Sequence, residues 1–159
     1  MDTHFPNLHD DLDALRSYAR LVCPNRDNAT QLLEQTLVEA ITMAEGNVAG
    51  VGRPGWLLRL VCDLARRRGC KNDAPDGSDD PIVRALHRLP LAQREVIVLV
   101  DVLRLEPQLA AEILGCTEID LGIRHTAARR ALKLLLPDDN LPLGVGDRGE
   151  TRAKGENLP

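Results

Sequence analysis

The feature that most constrains the fold is the spacing of aliphatic residues, which repeat every three or four positions along most of the chain. The first such stretch places Leu8, Leu12, Leu15, Ala19 and Val22 on one face of an amphipathic helix. The chain has only one Trp, one Tyr and one Phe, so its core must come from aliphatic side chains, which suits helices packed on helices. We find no convincing run of five or more residues that alternates apolar and polar. The sequence therefore predicts an all-α fold.

The predicted helices fall into two groups, which we expect to be two small domains. Residues 69–80 contain two Gly, one Pro and four Asp with almost no apolar side chains, which is typical of a flexible linker. The expected domains are residues 7–68, a bundle of three to four helices, and residues 81–136. Residues 137–159 are dominated by Gly, Pro and charge and are predicted to be a disordered tail. Helices are expected at about 8–22, 27–45, 54–68, 81–88, 91–104, 107–114 and 118–135.

The most specific local pattern is the spacing of three residues in the second half, Ala111-x3-Gly115-x5-Leu121. The small Ala111 allows two helices to approach closely, Gly115 supplies the backbone freedom for a tight turn, and Leu121 seats the second helix on the first. Thr117 can cap that second helix, with Asp120 completing a pair that resembles a capping box. The spacing predicts a helix-turn-helix whose second helix can enter a DNA major groove, although a plain helical hairpin would share it.

The distribution of charge matters more than its total. A net charge of −4 does not suggest a nucleic-acid-binding protein, but the cations are clustered, and a local basic face is what holds phosphates. The two clusters are Arg66, Arg67 and Arg68, and Arg124, Arg129, Arg130 and Lys133. A solvated helix face would have a similar composition.

Enzymatic and metal chemistry find little support in the sequence. The segment Gly50–Gly55 matches G-x-G-x-x-G, but the residues before it continue out of a predicted helix, whereas a dinucleotide site requires a strand there. The four cysteines (Cys23, Cys62, Cys70 and Cys116) lie far apart with no CxxC pair, and we interpret them as small buried side chains. We therefore expect no enzyme activity, no catalytic residue, no cofactor and no bound metal.

A cytoplasmic location is expected. No apolar stretch approaches the roughly 20 residues of a membrane span, and residues 1–13 lack the apolar core of a signal peptide.

Three segments resemble extracytoplasmic-function sigma factors of bacteria. LPLAQREVIVLVDVLRLEPQLAAEILGCTEIDLGIRHTAARRALKLL, at residues 89–135, resembles the domain that binds the promoter −35 element. LRSYARLVCPNRDNATQLLEQTLVEAI, at residues 15–41, and RPGWLLRLVCDLARRR, at residues 53–68, resemble the domain that binds the polymerase clamp and the −10 element. The resemblance implies a region 2-like domain and a region 4-like domain that direct core RNA polymerase to promoter DNA, under the control of an anti-sigma factor.

The resemblance also implies which residues make the contacts. The residues expected to contact DNA are Thr117, Asp120, Arg124, His125, Arg129, Arg130, Lys133, Arg66, Arg67 and Arg68. The residues expected to contact the polymerase are Gln31, Leu32, Glu34 and Gln35. Of these, His125 also fits a partly buried packing position.

Several positions depart from the family pattern. Gly122, Ile123 and Ala127 stand in the recognition helix where polar or basic residues are usual, and Cys62-Asp63 replaces a typical Arg-Asn in the −10-reading helix. These losses favour an alternative in which the chain is a sigma-like mimic of the general stress response. Such a mimic binds an anti-sigma factor by protein contact without reading DNA.

Overall fold

The computed structural model describes residues 8–70 and 77–136, and every regular element in those residues is helical. The elements are α1 (Leu8–Val22), α2 (Arg26–Glu45), α3 (Trp56–Arg68), α4 (Pro81–Arg88), α5 (Leu91–Ile97), a π-helical turn (Val98–Val102), α6 (Pro107–Leu114) and α7 (Glu118–Leu135). The predicted all-α class is confirmed, and the predicted helix positions agree with the structure to within one or two residues at most ends.

The first three helices form a small bundle around aliphatic side chains. Leu15, Leu32 and Val61, one from each helix, are fully buried. Asn25 begins α2 by accepting hydrogen bonds from the backbone N–H groups of Asp27 and Asn28, as an N-cap residue does. The left-handed Gly69 (φ 58°) ends α3. Local capping therefore sets the helix ends, and the aliphatic stripes bring the helices together.

The predicted single helix at 91–104 is wrong in its second half. The α-helix ends at Ile97 and continues as the π-helical turn, in which the Leu103 N–H donates to the Val98 carbonyl oxygen at 2.9 Å. Arg104 then takes a left-handed backbone conformation (φ 53°). A continuous run of apolar residues gives no sign of where the hydrogen-bonding period changes, because both kinds of helix bury it. The wider turn places Asp101 toward α7, as described below.

The two halves of the chain pack against each other, a point that the sequence left open. Helix α1 contacts α4, α5 and the π-helical turn, and α3 contacts α6. One close approach is at Gly55 (φ 76°), where a Cβ atom would lie 3.0 Å from Leu109 Cδ1 and 3.1 Å from Ile113 Cδ1. Any other residue at position 55 would be strained by the positive φ and would require these two side chains to shift.

The predicted domain boundary stays a prediction. Residues 71–76 of the proposed linker and the whole proposed tail, residues 137–159, lie outside the described residues.

Two adjacent charged residues of α5 are buried at the junction of the halves. Arg94 is 1% exposed and donates hydrogen bonds to the carbonyl oxygens of Val22 (2.6 Å), the last residue of α1, and of Cys70 (3.0 Å), two residues beyond α3. Glu95 accepts a hydrogen bond from the Tyr18 hydroxyl (2.9 Å) and one from Arg66 Nε (3.2 Å). We call this pair the Arg94–Glu95 latch.

The latch carries a desolvation cost that its hydrogen bonds offset. Burial lowers the pKa of Arg94 and raises the pKa of Glu95, and the nearby Arg66 charge opposes the second shift. A buried charge is stable only when its hydrogen bonds are satisfied. The latch therefore links the two halves in the arrangement that the structure shows, although the buried Arg94 Nε has no hydrogen-bond partner among the described residues.

Replacing Arg94 with Met should lower the free energy of unfolding by about 2–4 kcal/mol, because two buried carbonyl groups lose their donor. Urea denaturation followed by circular dichroism measures this change. Arg88→Met removes an exposed arginine of α4 and is the matched control, with an expected change of less than about 0.5 kcal/mol. Equal effects of the two substitutions would contradict the role given to Arg94.

Candidate nucleic-acid interface

Helices α6 and α7 form the predicted helix-turn-helix. Gly115 adopts the left-handed conformation (φ 65°), and the N–H of Cys116 donates to the Ala111 carbonyl oxygen at 3.0 Å, which closes α6. Leu121 is buried at 3% exposure and packs α7 onto the core. The three framing residues thus have the structural roles that their spacing predicts.

The start of α7 uses the two polar residues that the sequence also assigns to DNA contact. Thr117 Oγ1 accepts a hydrogen bond from the Asp120 N–H at 3.1 Å and donates one to Asp120 Oδ2 at 2.8 Å. This reciprocal pair caps the helix. Both side chains are exposed, but their polar atoms already satisfy each other.

The cations of α7 divide into two sets. Arg124, Arg130 and Lys133 are exposed to solvent. These three can meet phosphates without breaking an ion pair described in the structure. The outward surface of α7 also has an open space at Gly122, where a Cβ atom would meet nothing within 4 Å.

His125 and Arg129 form the second set, since both bind Asp101 of the π-helical turn. Arg129 Nη2 and Nε donate to the Asp101 carboxylate at 2.6 and 3.1 Å, and His125 Nε2 lies 2.9 Å from Asp101 Oδ1. Burial alone would raise the pKa of Asp101, but the hydrogen bonds and charges of these two partners lower it below its usual value. The contacts of Arg129 and His125 with Asp101 therefore fix α7 to the π-helical turn.

The three arginines that end α3 also contact other parts of the chain. Arg66 binds Glu95 across the junction of the halves, with Nε 3.2 Å from Oε2. Arg67 lies 3.4 Å from a carboxylate oxygen of Glu39. Because of these contacts, the side chains of Arg66 and Arg67, which belong to the predicted −10 surface, point toward α5 and α2.

Arg68, which is expected to contact DNA, is hydrogen-bonded to two residues that are expected to contact the polymerase. Its guanidinium donates to the side-chain oxygens of Gln35 (2.7 Å) and Gln31 (2.9 Å) on α2. Glu34 is exposed beside them, whereas Leu32 is fully buried and forms part of the core. Any polymerase contact at this face would therefore come from the polar residues, with Leu32 holding α2 in place.

The structure adds no sign of other binding chemistry. Within residues 8–70 and 77–136, no three His, Cys, Asp or Glu side chains are grouped as metal ligands would be. Gly50 to Gly55 connect helix α2 to helix α3, so the G-x-G-x-x-G match lacks the preceding strand of a dinucleotide site. No helix of the described part of the chain is long and apolar enough to cross a membrane.

Comparison with known proteins separates a sigma-like chain from an unrelated helix-turn-helix. No family model matches the sequence. The chain is 29% identical to the ECF RNA polymerase sigma factor EcfG of Rhodopseudomonas palustris (strain TIE-1), and the alignment covers 90% of this chain and 97% of that protein. The chain is therefore a divergent relative of the extracytoplasmic-function sigma factors. The resemblance found in the sequence is therefore confirmed.

A solved sigma factor has the same arrangement of helices. The structure is similar to that of the sigma factor RpoE from Bartonella quintana, which was crystallised in complex with the anti-sigma factor NepR. The TM-score is 0.62 at 27% identity, over 78% of this chain and 90% of that one. The all-α fold of this chain is thus similar to a solved sigma-factor fold over most of its length.

The sequence did not point to the residues that hold the interface in place. The contacts of Tyr18 with Glu95 and of Arg94 with Val22 were not predicted, because the partners lie 77 and 72 positions apart in the chain. Asp101 left a clearer signal, since it is a lone acid within the apolar run VIVLVDVL. A carboxylate in such a run must have a partner once the run is buried.

Replacing Asp101 with Asn should strengthen binding to duplex DNA severalfold at low salt, because Arg129 is released and a negative charge next to the basic face is lost. The slope of log affinity against log salt concentration should steepen by about one unit. Fluorescence anisotropy with a labelled duplex measures both quantities. Asp10→Asn makes the same change of charge on an exposed position of α1 and should leave both unchanged. Weaker binding by Asp101→Asn would instead show that the ion pair positions α7 for DNA.

Proposed function

We propose that this sigma factor directs core RNA polymerase to promoters through residues 81–136 on the −35 element and residues 7–68 on the polymerase clamp and −10 element. One observation carries the proposal. The helix-turn-helix is intact, and α7 exposes Arg124, Arg130 and Lys133 on its outer side, in a chain aligned over 90% of its length with a sigma factor. The function requires positioning and selective binding, with no covalent chemistry by the protein.

The exposed cations of α7 would hold the phosphates that flank the −35 element. Contacts to phosphate give affinity and fix the register of a helix on DNA, while contacts to base edges give sequence preference. Ile123 and Gly122 offer no hydrogen bond to a base edge, but an apolar side chain can contact a thymine methyl group. We therefore expect a weak sequence preference and a strong dependence on salt.

The polar face of α2 would contact the polymerase. Gln31, Glu34 and Gln35 lie on its accessible side, and Arg68 connects two of them to the end of α3. Arg66 is bound to Glu95 of the other half, so it could reach promoter DNA only after the two halves separate. Binding to the polymerase would then have to break the Arg94–Glu95 latch.

We propose further that an anti-sigma factor controls this chain, as a protein partner of the exposed apolar side chains on α2 and α7. Val38 and Ile41 of α2 are 63% and 60% exposed, and Ile119 and Ile123 of α7 are 77% and 65% exposed. Large aliphatic side chains at these positions are the kind of surface that protein partners cover. Because core polymerase and promoter DNA are cytoplasmic, we propose the same location for this chain.

The same apolar residues favour the second candidate, a sigma-like mimic. Ile119 and Ile123 flank Gly122 on the helix that should read bases, and such a surface suits a protein helix better than a base edge. A mimic would bind the anti-sigma factor and leave promoter DNA untouched. The two candidates differ in whether transcription follows.

Run-off transcription with core polymerase separates them. The chain should bind core polymerase in a pull-down and start transcripts at discrete promoters. The best template is a library of fragments from the source genome, with the transcript ends sequenced. Binding of a small helical regulator together with no transcript from any fragment would contradict the sigma function and support the mimic.

Replacing both Arg124 and Arg130 with Ala should weaken promoter binding at least tenfold and make the salt slope shallower by about two units, because two phosphate contacts are lost. The double variant Arg16→Ala, Arg20→Ala removes two exposed cations from α1 and should bind DNA normally. An unchanged salt slope in the α7 variant would place the DNA contact elsewhere.

A further inference from the structure

Two of the four cysteines meet in the interior, although they are 47 positions apart in the chain. The sulfur atoms of Cys23 and Cys70 lie 2.9 Å apart, and the residues are 2% and 6% exposed. Cys23 directly follows α1, where its N–H donates to the Ala19 carbonyl oxygen. Cys70 follows Gly69 at the end of α3, where its N–H donates to the Ala65 carbonyl oxygen. Two capped helix ends therefore hold the pair in register.

This separation is less than about 1 Å longer than a covalent S–S bond of roughly 2.05 Å. Two apolar side chains do not pack at such a distance, so our interpretation of these two residues as ordinary buried hydrophobes is incomplete. A small shift of either helix end would allow the sulfur atoms to bond.

We propose that Cys23 and Cys70 form an oxidation site, in which a peroxide converts the two thiols to a disulfide. One thiolate attacks the peroxide O–O bond and becomes a sulfenic acid, with release of water when the oxidant is hydrogen peroxide. The second thiol attacks that sulfur, and a second water leaves. In total, two thiols and one hydrogen peroxide give one disulfide and two waters.

The surroundings of the pair control when it reacts. Hydrogen bonding to Cys70 and burial raise the pKa of Cys23, while the charges of Arg94 and Arg68 act in the opposite direction. A protonated and buried thiol reacts slowly, because the thiolate is the nucleophile. Local opening near the Arg94–Glu95 latch would expose the sulfur atoms beside two guanidinium groups, where a thiolate is stabilised.

The disulfide would connect the same two chain segments, at the ends of α1 and α3, to which Arg94 donates its hydrogen bonds. Arg94 donates to the carbonyl oxygens of Val22 and Cys70, which are the residue before one cysteine and the other cysteine itself. A covalent bond between Cys23 and Cys70 would fix these two acceptors side by side. Oxidation would therefore stabilise the first three helices and keep the acceptor site of the latch assembled.

Peptide mass spectrometry tests the site directly on the full chain. The protein is treated with hydrogen peroxide, blocked with N-ethylmaleimide and digested with trypsin without reduction. We expect a cross-linked species of residues 21–26 (LVCPNR) and 69–71 (GCK), which dithiothreitol separates. Peroxide treatment that leaves both peptides carrying N-ethylmaleimide, or that links Cys116 instead, would overturn the proposal.

Thermal unfolding tests the consequence. Oxidation should raise the melting temperature of the wild type by on the order of 10 °C, because the disulfide closes a loop of about 48 residues. Cys23→Ala and Cys70→Ala should each abolish the rise. Cys62→Ala removes another buried cysteine, which lies beside Tyr18 and whose pKa burial raises to about 12, and should retain the rise.

The wild-type measurements stand even if an alanine variant fails to fold. A cross-linked peptide without a rise in melting temperature would overturn the stabilising role of the disulfide. Neither experiment uses polymerase or DNA, so its outcome is independent of the proposed sigma function.

Discussion

A buried guanidinium binds both helix ends at the junction of the two halves of this protein. Arg94 comes from α5 and donates hydrogen bonds to the carbonyl oxygens of Val22, at the end of α1, and Cys70, just after α3. The carboxylate of the neighbouring Glu95 accepts hydrogen bonds from Tyr18 of α1 and Arg66 of α3. Aliphatic packing supplies most of the burial, but it is not directional. The charged pair adds directional hydrogen bonds, which favour the relative position of the halves that the structure shows.

That arrangement has consequences for function. The cations on the outer side of α7 remain accessible, whereas Arg129 is bound to Asp101 and Arg66 to Glu95. The residues that could meet DNA are thus partly engaged inside the protein. Under the proposed function, α7 would bind phosphates in this form while the residues expected at the −10 element stay turned inward. Use of both surfaces would then require the halves to separate.

The sequence was sufficient for the elements and insufficient for their assembly. Aliphatic spacing and caps such as Thr117 and Gly115 are local, so they predicted the helices and the helix-turn-helix closely. The π-helical turn was missed because an apolar run is compatible with either helical period. The contacts between the halves depend on residues distant in the chain, so the sequence left open whether the two predicted domains pack together. The contact of Cys23 with Cys70 was missed for the same reason, since cysteine spacing is informative only for local pairs.

Nuclear magnetic resonance of the free protein tests most directly whether the two halves form one body. The account predicts a nuclear Overhauser effect between the Hα protons of Gly55 and the δ1 methyl of Ile113, which are in contact across the junction. It also predicts one rotational correlation time for the backbone amides of α1 to α3 and of α4 to α7. Absence of that effect together with two distinct correlation times would contradict it.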